Sequence, residues 1–226
     1  MKSVMKKFSF IITGLLMCFY SSFAQIDYGL RGGINLSTII GGDSKLFQTI
    51  DGKGATVNTQ FKVGYQGGFY ARMPINENFF FRPEIGISNR GVSNKKAVYQ
   101  FIDAKFNRYD FTYIDVPLLL QIGNAEEGLH LFVGPQFSYL INSRKRLENE
   151  YGEIKNVIGK EPSKTAIFAV LGVGYELPSG INFGLRAEYG VTPIASGISA
   201  NVFATQISVG YTLSSMSIYR RTHRNR

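Results

Sequence analysis

Ile181-Asn182-Phe183-Gly184-Leu185-Arg186-Ala187-Glu188-Tyr189-Gly190-Val191-Thr192 is the stretch on which the fold turns. Every odd position is apolar or aromatic, and every even position is polar, charged or glycine. Side chains of a β-strand alternate between its two faces, so this segment has one greasy face and one wet face. The same rhythm recurs in seven other segments, at residues 26–37, 61–73, 79–91, 109–122, 129–141, 165–177 and 202–213. Most are longer than the five or six residues usual for soluble sheets, and a tilted strand needs only about 9 to 11 residues to cross a bilayer.

The connections between these segments fall into two classes. Residues 74–78, 123–128 and 178–180 are short and rich in turn formers such as Pro74, Asn76, Pro178 and Gly180. Residues 38–60, 92–108, 142–164 and 193–201 are longer loops. Alternating short and long connections, with an even strand number, is the pattern of an outer-membrane barrel with short periplasmic turns and long outer loops. It predicts an all-β, eight-stranded antiparallel up-and-down transmembrane barrel, monomeric, with both termini in the periplasm. The competing reading inverts the faces, giving a soluble barrel with an apolar cavity, but charged residues make up only 18% of the chain, few for a solvated surface.

The N-terminal residues fit export. Lys2, Lys6 and Lys7 precede an uncharged, mostly apolar stretch at residues 8–20, and Ser22 and Ala24 place small residues at −3 and −1 of a cleavage site. That stretch is shorter than the roughly 20 residues of a membrane-spanning helix. The domain plan is therefore a signal peptide at 1–24, a barrel at 25–213 and a basic periplasmic tail at 214–226. The single cysteine, Cys18, lies in the leader, so the mature chain carries no thiol chemistry. The formal charge of +9 is concentrated in the leader lysines and in Arg220, Arg221, Arg224 and Arg226 of the tail, which argues against a nucleic-acid surface.

Alternation also assigns faces. Tyr28, Leu30, Ile34, Leu36, Ile167, Leu171, Val173, Tyr175, Phe203, Ile207, Val209 and Tyr211 point to lipid, with Tyr28, Phe61, Phe79, Tyr175, Phe203 and Tyr211 as interfacial aromatics. Arg31, Lys62, Arg72, Arg82, Glu84, Arg90, Asp115, Glu176, Arg186 and Glu188 fall on the inward face, where they can pair. An eight-stranded barrel is only wide enough to be filled by side chains. Arg82, Glu84, Asp115, Arg186 and Glu188 are thus expected to form an ion-pair cluster in the lumen. The functional alternative for the same set is a gated path for ions or small solutes.

Several segments carry a resemblance. Gly29-Leu30-Arg31-Gly32-Gly33-Ile34-Asn35-Leu36-Ser37, Gly67-Gly68-Phe69-Tyr70, Phe81-Arg82-Pro83-Glu84-Ile85, Tyr113-Ile114-Asp115-Val116-Pro117-Leu118-Leu119-Leu120, Leu131-Phe132-Val133-Gly134-Pro135 and Gly172-Val173-Gly174-Tyr175-Glu176 resemble, in order, the PorT-like outer-membrane β-barrel family. The resemblance implies an eight-stranded barrel in the outer membrane of a Gram-negative bacterium, with no shared catalytic residues. The family's name comes from a member linked to protein secretion. One departure is that the last strand ends at Thr212-Leu213 rather than in an aromatic residue, and a tail follows it.

Chemistry-bearing residues are few. His130 and His223 are the only histidines, and no set of His, Cys and carboxylates suggests a metal or cofactor. His130, just after a short turn, reads as a solvated turn residue. Ser138 is eight residues along the same strand, far beyond hydrogen-bond reach of it. In the loop at 142–164, Arg144, Lys145 and Arg146 face a prospective contact with lipopolysaccharide phosphates, and the mixed charge there suits a hairpin extending above the membrane. The expected role is non-enzymatic, through the loops or the periplasmic end, with an accessory part in secretion as one form. The expected partners are outer-membrane lipids, lipopolysaccharide and a periplasmic or secretion-machinery protein. A narrow pore and a lipid-modifying enzyme are the alternatives.

Overall fold

The computed structural model describes residues 26–41, 58–99, 102–123, 127–149, 152–155, 162–195 and 199–213. The leader at 1–24, the tail at 214–226 and most of the 38–60 connection lie outside the described residues. The elements are β1 (Asp27–Ile40), β2 (Asn58–Gln60), β3 (Lys62–Pro74), β4 (Phe79–Tyr99), β5 (Ile102–Gly123), β6 (Gly128–Asn149), β7 (Gly152–Lys155), β8 (Thr165–Glu176), β9 (Ile181–Gly190) and β10 (Asn201–Leu213).

Eight of these strands close into a ring in which each neighbour is antiparallel: β1, β3, β4, β5, β6, β8, β9, β10 and back to β1. The short strands β2 and β7 add to β4 and β6 at the loop end. Closure pairs β1 with β10 in unbroken register from Tyr28↔Leu213 to Ile40↔Asn201. A closed ring leaves no spanning strand with an open edge, which matters where no water is present to satisfy the backbone.

Turn chemistry sets the short connections. Asn76 Oδ1 accepts from the backbone N–H of Asn78 and of Phe79 (3.0 and 2.9 Å), which closes the β3–β4 turn. Gly180 takes φ +87° between β8 and β9, a conformation a side chain disfavours.

The faces fall as the alternation predicts. Leu30, Ile34, Tyr65, Phe69, Ile85, Leu171, Val173, Leu185, Ile207 and Val209 are all exposed on the outer wall. Tyr28, Phe79, Tyr175 and Tyr211 ring the turn end, and Phe61, Tyr139 and Tyr189 ring the loop end. The inverted, soluble arrangement is therefore excluded: the apolar face is outside and the charges are inside.

One expectation is corrected. The residues read as a loop at 92–108 continue β4 and β5 as a paired ladder, from Val92↔Tyr109 to Tyr99↔Ile102. The greasy–wet alternation that marks a strand fades from the sequence there, with Lys95 and Lys96 adjacent, although the pairing does not. Likewise, β6 runs on to Asn149 and turns into β7. The β5–β6 register shifts between Thr112 and Tyr113, beside Ile141, an irregularity of the kind that bends a strand pair.

Candidate functional site: the charged lumen

Strand alternation delivers charged side chains from every side of the ring to one axis, where they stack in tiers. At the turn end Arg72 of β3 holds Asp27 of β1 through Nε and Nη2 (3.1 and 2.8 Å) and Glu176 of β8 through Nη1 (2.7 Å). The middle tier centres on Glu84 of β4. Its carboxylate receives Arg186 of β9 in a fork (2.7 and 2.8 Å), Arg82 Nε (2.8 Å) and Arg31 Nε of β1 (2.8 Å). The planar guanidinium suits such two-pronged contact, and its remaining faces stack on rings. Arg82 lies 3.6 Å from the Tyr70 ring centroid, and Arg186 lies 4.5 Å from that of Phe132.

The upper tier belongs to Arg90 of β4. It grips Asp115 of β5 with both terminal nitrogens (3.1 and 2.9 Å) and approaches Glu188 of β9 at 2.6 Å. That last contact is a charge contact only: its alignment misses a hydrogen bond, and neither Glu188 oxygen accepts one. Nearer the rim Lys62 of β3 reaches Asp110 at 2.5 Å and bonds to Asn89.

Counted along these tiers, six cations (Arg31, Lys62, Arg72, Arg82, Arg90 and Arg186) meet six carboxylates (Asp27, Glu84, Asp110, Asp115, Glu176 and Glu188). Among the described residues these lumen charges balance overall, with a cationic waist between acidic tiers.

Above the ion pairs the barrel mouth is shut by an apolar plug of Ile39, Val92, Phe111, Tyr113, Phe168 and Val202, with Ile194, Ala195 and Ala200 folded in from the β9–β10 connection. A cavity beside Arg31, Gln66, Glu84, Asp115 and Pro117 measures about 10 Å³, room for about one water.

The expected cluster is thus split. Arg82, Glu84 and Arg186 come together, whereas Asp115 and Glu188 belong to the tier of Arg90. Arg31 and Arg90 complete the two groups. Both sat on the inward face in the alternation, but only the register shows which carboxylate each one meets.

His130 is a second correction. It is 2% exposed, faces the lumen, and lies edge-on to Phe132 at 4.8 Å between ring centroids. Leu129 and Leu131 on either side point outward, so parity turns His130 inward despite its closeness to a turn. Ser138 is also inward, and its Oγ donates to Asp115 Oδ1 (2.6 Å). This places Ser138 with the Arg90 tier rather than with His130.

No curated protein matches the sequence. Solved structures similar to the chain include Neisserial surface protein A (12% identity, TM-score 0.47, covering 82% of this chain and 95% of that one). They also include Ail, the attachment invasion locus protein of Yersinia pestis (14%, 0.44, 84% and 99%), and OprG from Pseudomonas aeruginosa (16%, 0.44, 83% and 95%). The model of the outer membrane protein beta-barrel domain family matches residues 22–196. With a closed eight-stranded antiparallel ring, an apolar exterior and a paired polar interior already in view, that match shows that the chain belongs to the outer membrane protein beta-barrel domain family.

Proposed function

We propose that this is a non-enzymatic, monomeric outer-membrane barrel whose work is done by what it presents at its two ends. Both termini lie in the periplasm and the β4–β5 and β6–β7 hairpins outside. The observation that carries this reading is the filled lumen. Interlocked ion pairs occupy the waist, an apolar plug closes the mouth, and the cavity described above is water-sized. Moving ions through it would require breaking buried, interlocked pairs, each break costing about 3 to 5 kcal/mol. The pairing of Ser138 with Asp115, away from His130, supports the non-enzymatic part.

The test is electrical. Purified full-length protein in planar bilayers is expected to give no unitary conductance, and protease added outside cells is expected to cut at the hairpin end. Steady channel steps that change when Arg82 or Arg186 is neutralised would replace this reading with the narrow pore.

The PorT-like motifs support a more specific form, an accessory to protein secretion with a periplasmic or secretion-machinery partner. Deletion of the gene is then expected to leave cargo in the periplasm, and unchanged export would remove this form while leaving the barrel reading intact.

A further inference from the structure

Within the apolar belt the wall carries a break in the seam between β4 and β5. The ladder includes Gly86↔Asp115 and Pro83↔Leu118, but no rung joins Glu84 and Ile85 to Pro117 and Val116 between them. Pro117 has no N–H to give to such a rung. Alternate residues of a strand turn their backbone groups to opposite neighbours. A Cβ on Gly68 of β3 would lie 2.3 Å from the Ile85 carbonyl oxygen, so Ile85 turns to β3 and Glu84 to β5. A Cβ on Gly134 of β6 would lie 2.2 Å from the Leu118 carbonyl oxygen, so Leu118 turns to β6 and Pro117 to β4. Glu84 and Pro117 thus face each other across the seam, and the Glu84 main-chain carbonyl meets a proline where the ladder would supply a donor. Ile85 and Val116 beside them point to lipid, which offers no hydrogen bond in its place.

The water-sized cavity lies at this point, lined by Arg31, Gln66, Glu84, Gly86, Asp115 and Pro117. Gln66 is 6% exposed. Its Oε1 accepts from Arg31 Nη1 (2.7 Å), while its Nε2 has no partner among the described residues. A buried donor and a buried carbonyl that both lack partners each carry the cost of leaving water. The Glu84 carboxylate does not answer Gln66, because Arg31, Arg82 and both prongs of Arg186 already fill its oxygens.

The lining also fixes the kind of guest. A cation would face Arg31, and an anion would face the carboxylates of Glu84 and Asp115. A small neutral molecule that donates and accepts at once meets neither obstacle, and about 10 Å³ holds one water.

We propose that one resident water occupies this cavity and completes the wall as the missing rung between Glu84 and Pro117. It donates to the Glu84 main-chain carbonyl and to the Asp115 carboxylate, and it accepts from Gln66 Nε2. The water ties β3, β4 and β5 together at the height where the Glu84 tier passes into the Arg90 tier.

The test uses the folded full-length protein in detergent micelles, with water itself as the probe. Nuclear Overhauser spectra in the laboratory and rotating frames separate contact with a bound water from proton exchange, since the two differ in sign in the rotating frame. The Gln66 side-chain amide is expected to show contact with a water held far longer than one in bulk solvent. P117A supplies the N–H that proline lacks. Its new amide is expected to resist exchange in deuterium oxide, as a ladder N–H does, and the contact between Gln66 and water is expected to vanish. Heat-modifiable migration on gels reports that the variant forms the barrel. If P117A fails to fold, or its new N–H exchanges freely, Q66M is compared with the parent by oxygen-17 relaxation dispersion of the solvent, which counts long-lived internal waters. Q66M is expected to hold one fewer.

A parent protein with no bound-water contact at Gln66 would overturn the proposal. So would a contact that persists in P117A beside a protected new amide, or an equal count of long-lived waters in Q66M and the parent.

Discussion

Replacing Glu84 by Gln would leave Arg31, Arg82 and Arg186 converging on an amide that cannot compensate three guanidinium charges. Removing one partner of a buried pair leaves the other charges stranded, so E84Q is expected to lower stability by about 3 to 5 kcal/mol in urea titration of the detergent-folded barrel. Glu188 makes the sharper comparison. It is equally buried, yet Arg90 keeps its two-pronged hold on Asp115 without it, and neither Glu188 oxygen accepts a hydrogen bond. E188Q is therefore expected to cost less than about 1 kcal/mol in the same titration, the net scale of an ordinary contact. Equal losses in the two variants would show that bulk lumen charge matters and the individual pairings do not. Parity along β4 puts Arg82, Glu84 and Arg90 on one face from sequence. That Glu84 answers Arg31, 53 residues away, and Arg186, 102 residues away, follows only from how far neighbouring strands are staggered.

At the scale of the element, Gly32 and Gly33 are adjacent on β1 yet have opposite prospects. A Cβ on Gly33 would sit 2.0 Å from the carbonyl oxygen of Ile207 and 2.8 Å from the Cα of Ser208, so β10 must move for any side chain to enter. A Cβ on Gly32 meets nothing nearer than the Gln66 carbonyl oxygen at 3.8 Å. G33A is expected to lose the compact, heat-modifiable band on gels or to melt markedly lower, and G32A to behave as the parent protein; the reverse order would mean that the β1–β10 seam is looser than this packing. The eight spanning strands were legible because a period of two is a local property, written separately in each strand by the contrast between lipid and lumen. The upper parts of β4, β5 and β6 were not, because their sequence no longer alternates between greasy and wet residues: Lys95-Lys96 and Arg144-Lys145-Arg146 are consecutive charges. His130 lay between these cases: Leu129 and Leu131 announced its side, but its nearness to a turn suggested water.

For the molecule as a whole, the tiers of paired charge should hold against salt. Pairs sealed in the lumen are hardly screened, whereas solvent-exposed charges lose most of their pull once the Debye length shrinks. Raising NaCl from about 0.05 M to about 0.5 M is therefore expected to leave the barrel's melting temperature within a few degrees. A melting point that fell steadily with added salt would mean that the lumen is open to solvent. The tiers also bear on how the chain enters a membrane. Arg72 joins β3 to β8, Arg186 joins β9 to β4, and the Tyr70 hydroxyl meets Thr212 of the final strand across 142 residues. The first four spanning strands hold carboxylates beside their cations, Asp27 with Arg72, Glu84 with Arg31 and Arg82, and Asp115 with Arg90, but an open sheet would turn this polar face and two unpaired strand edges to hydrocarbon. Insertion then has no stable halfway house: the last strand synthesised must arrive before the first can be committed, and a truncated chain is left outside the bilayer, within reach of proteases.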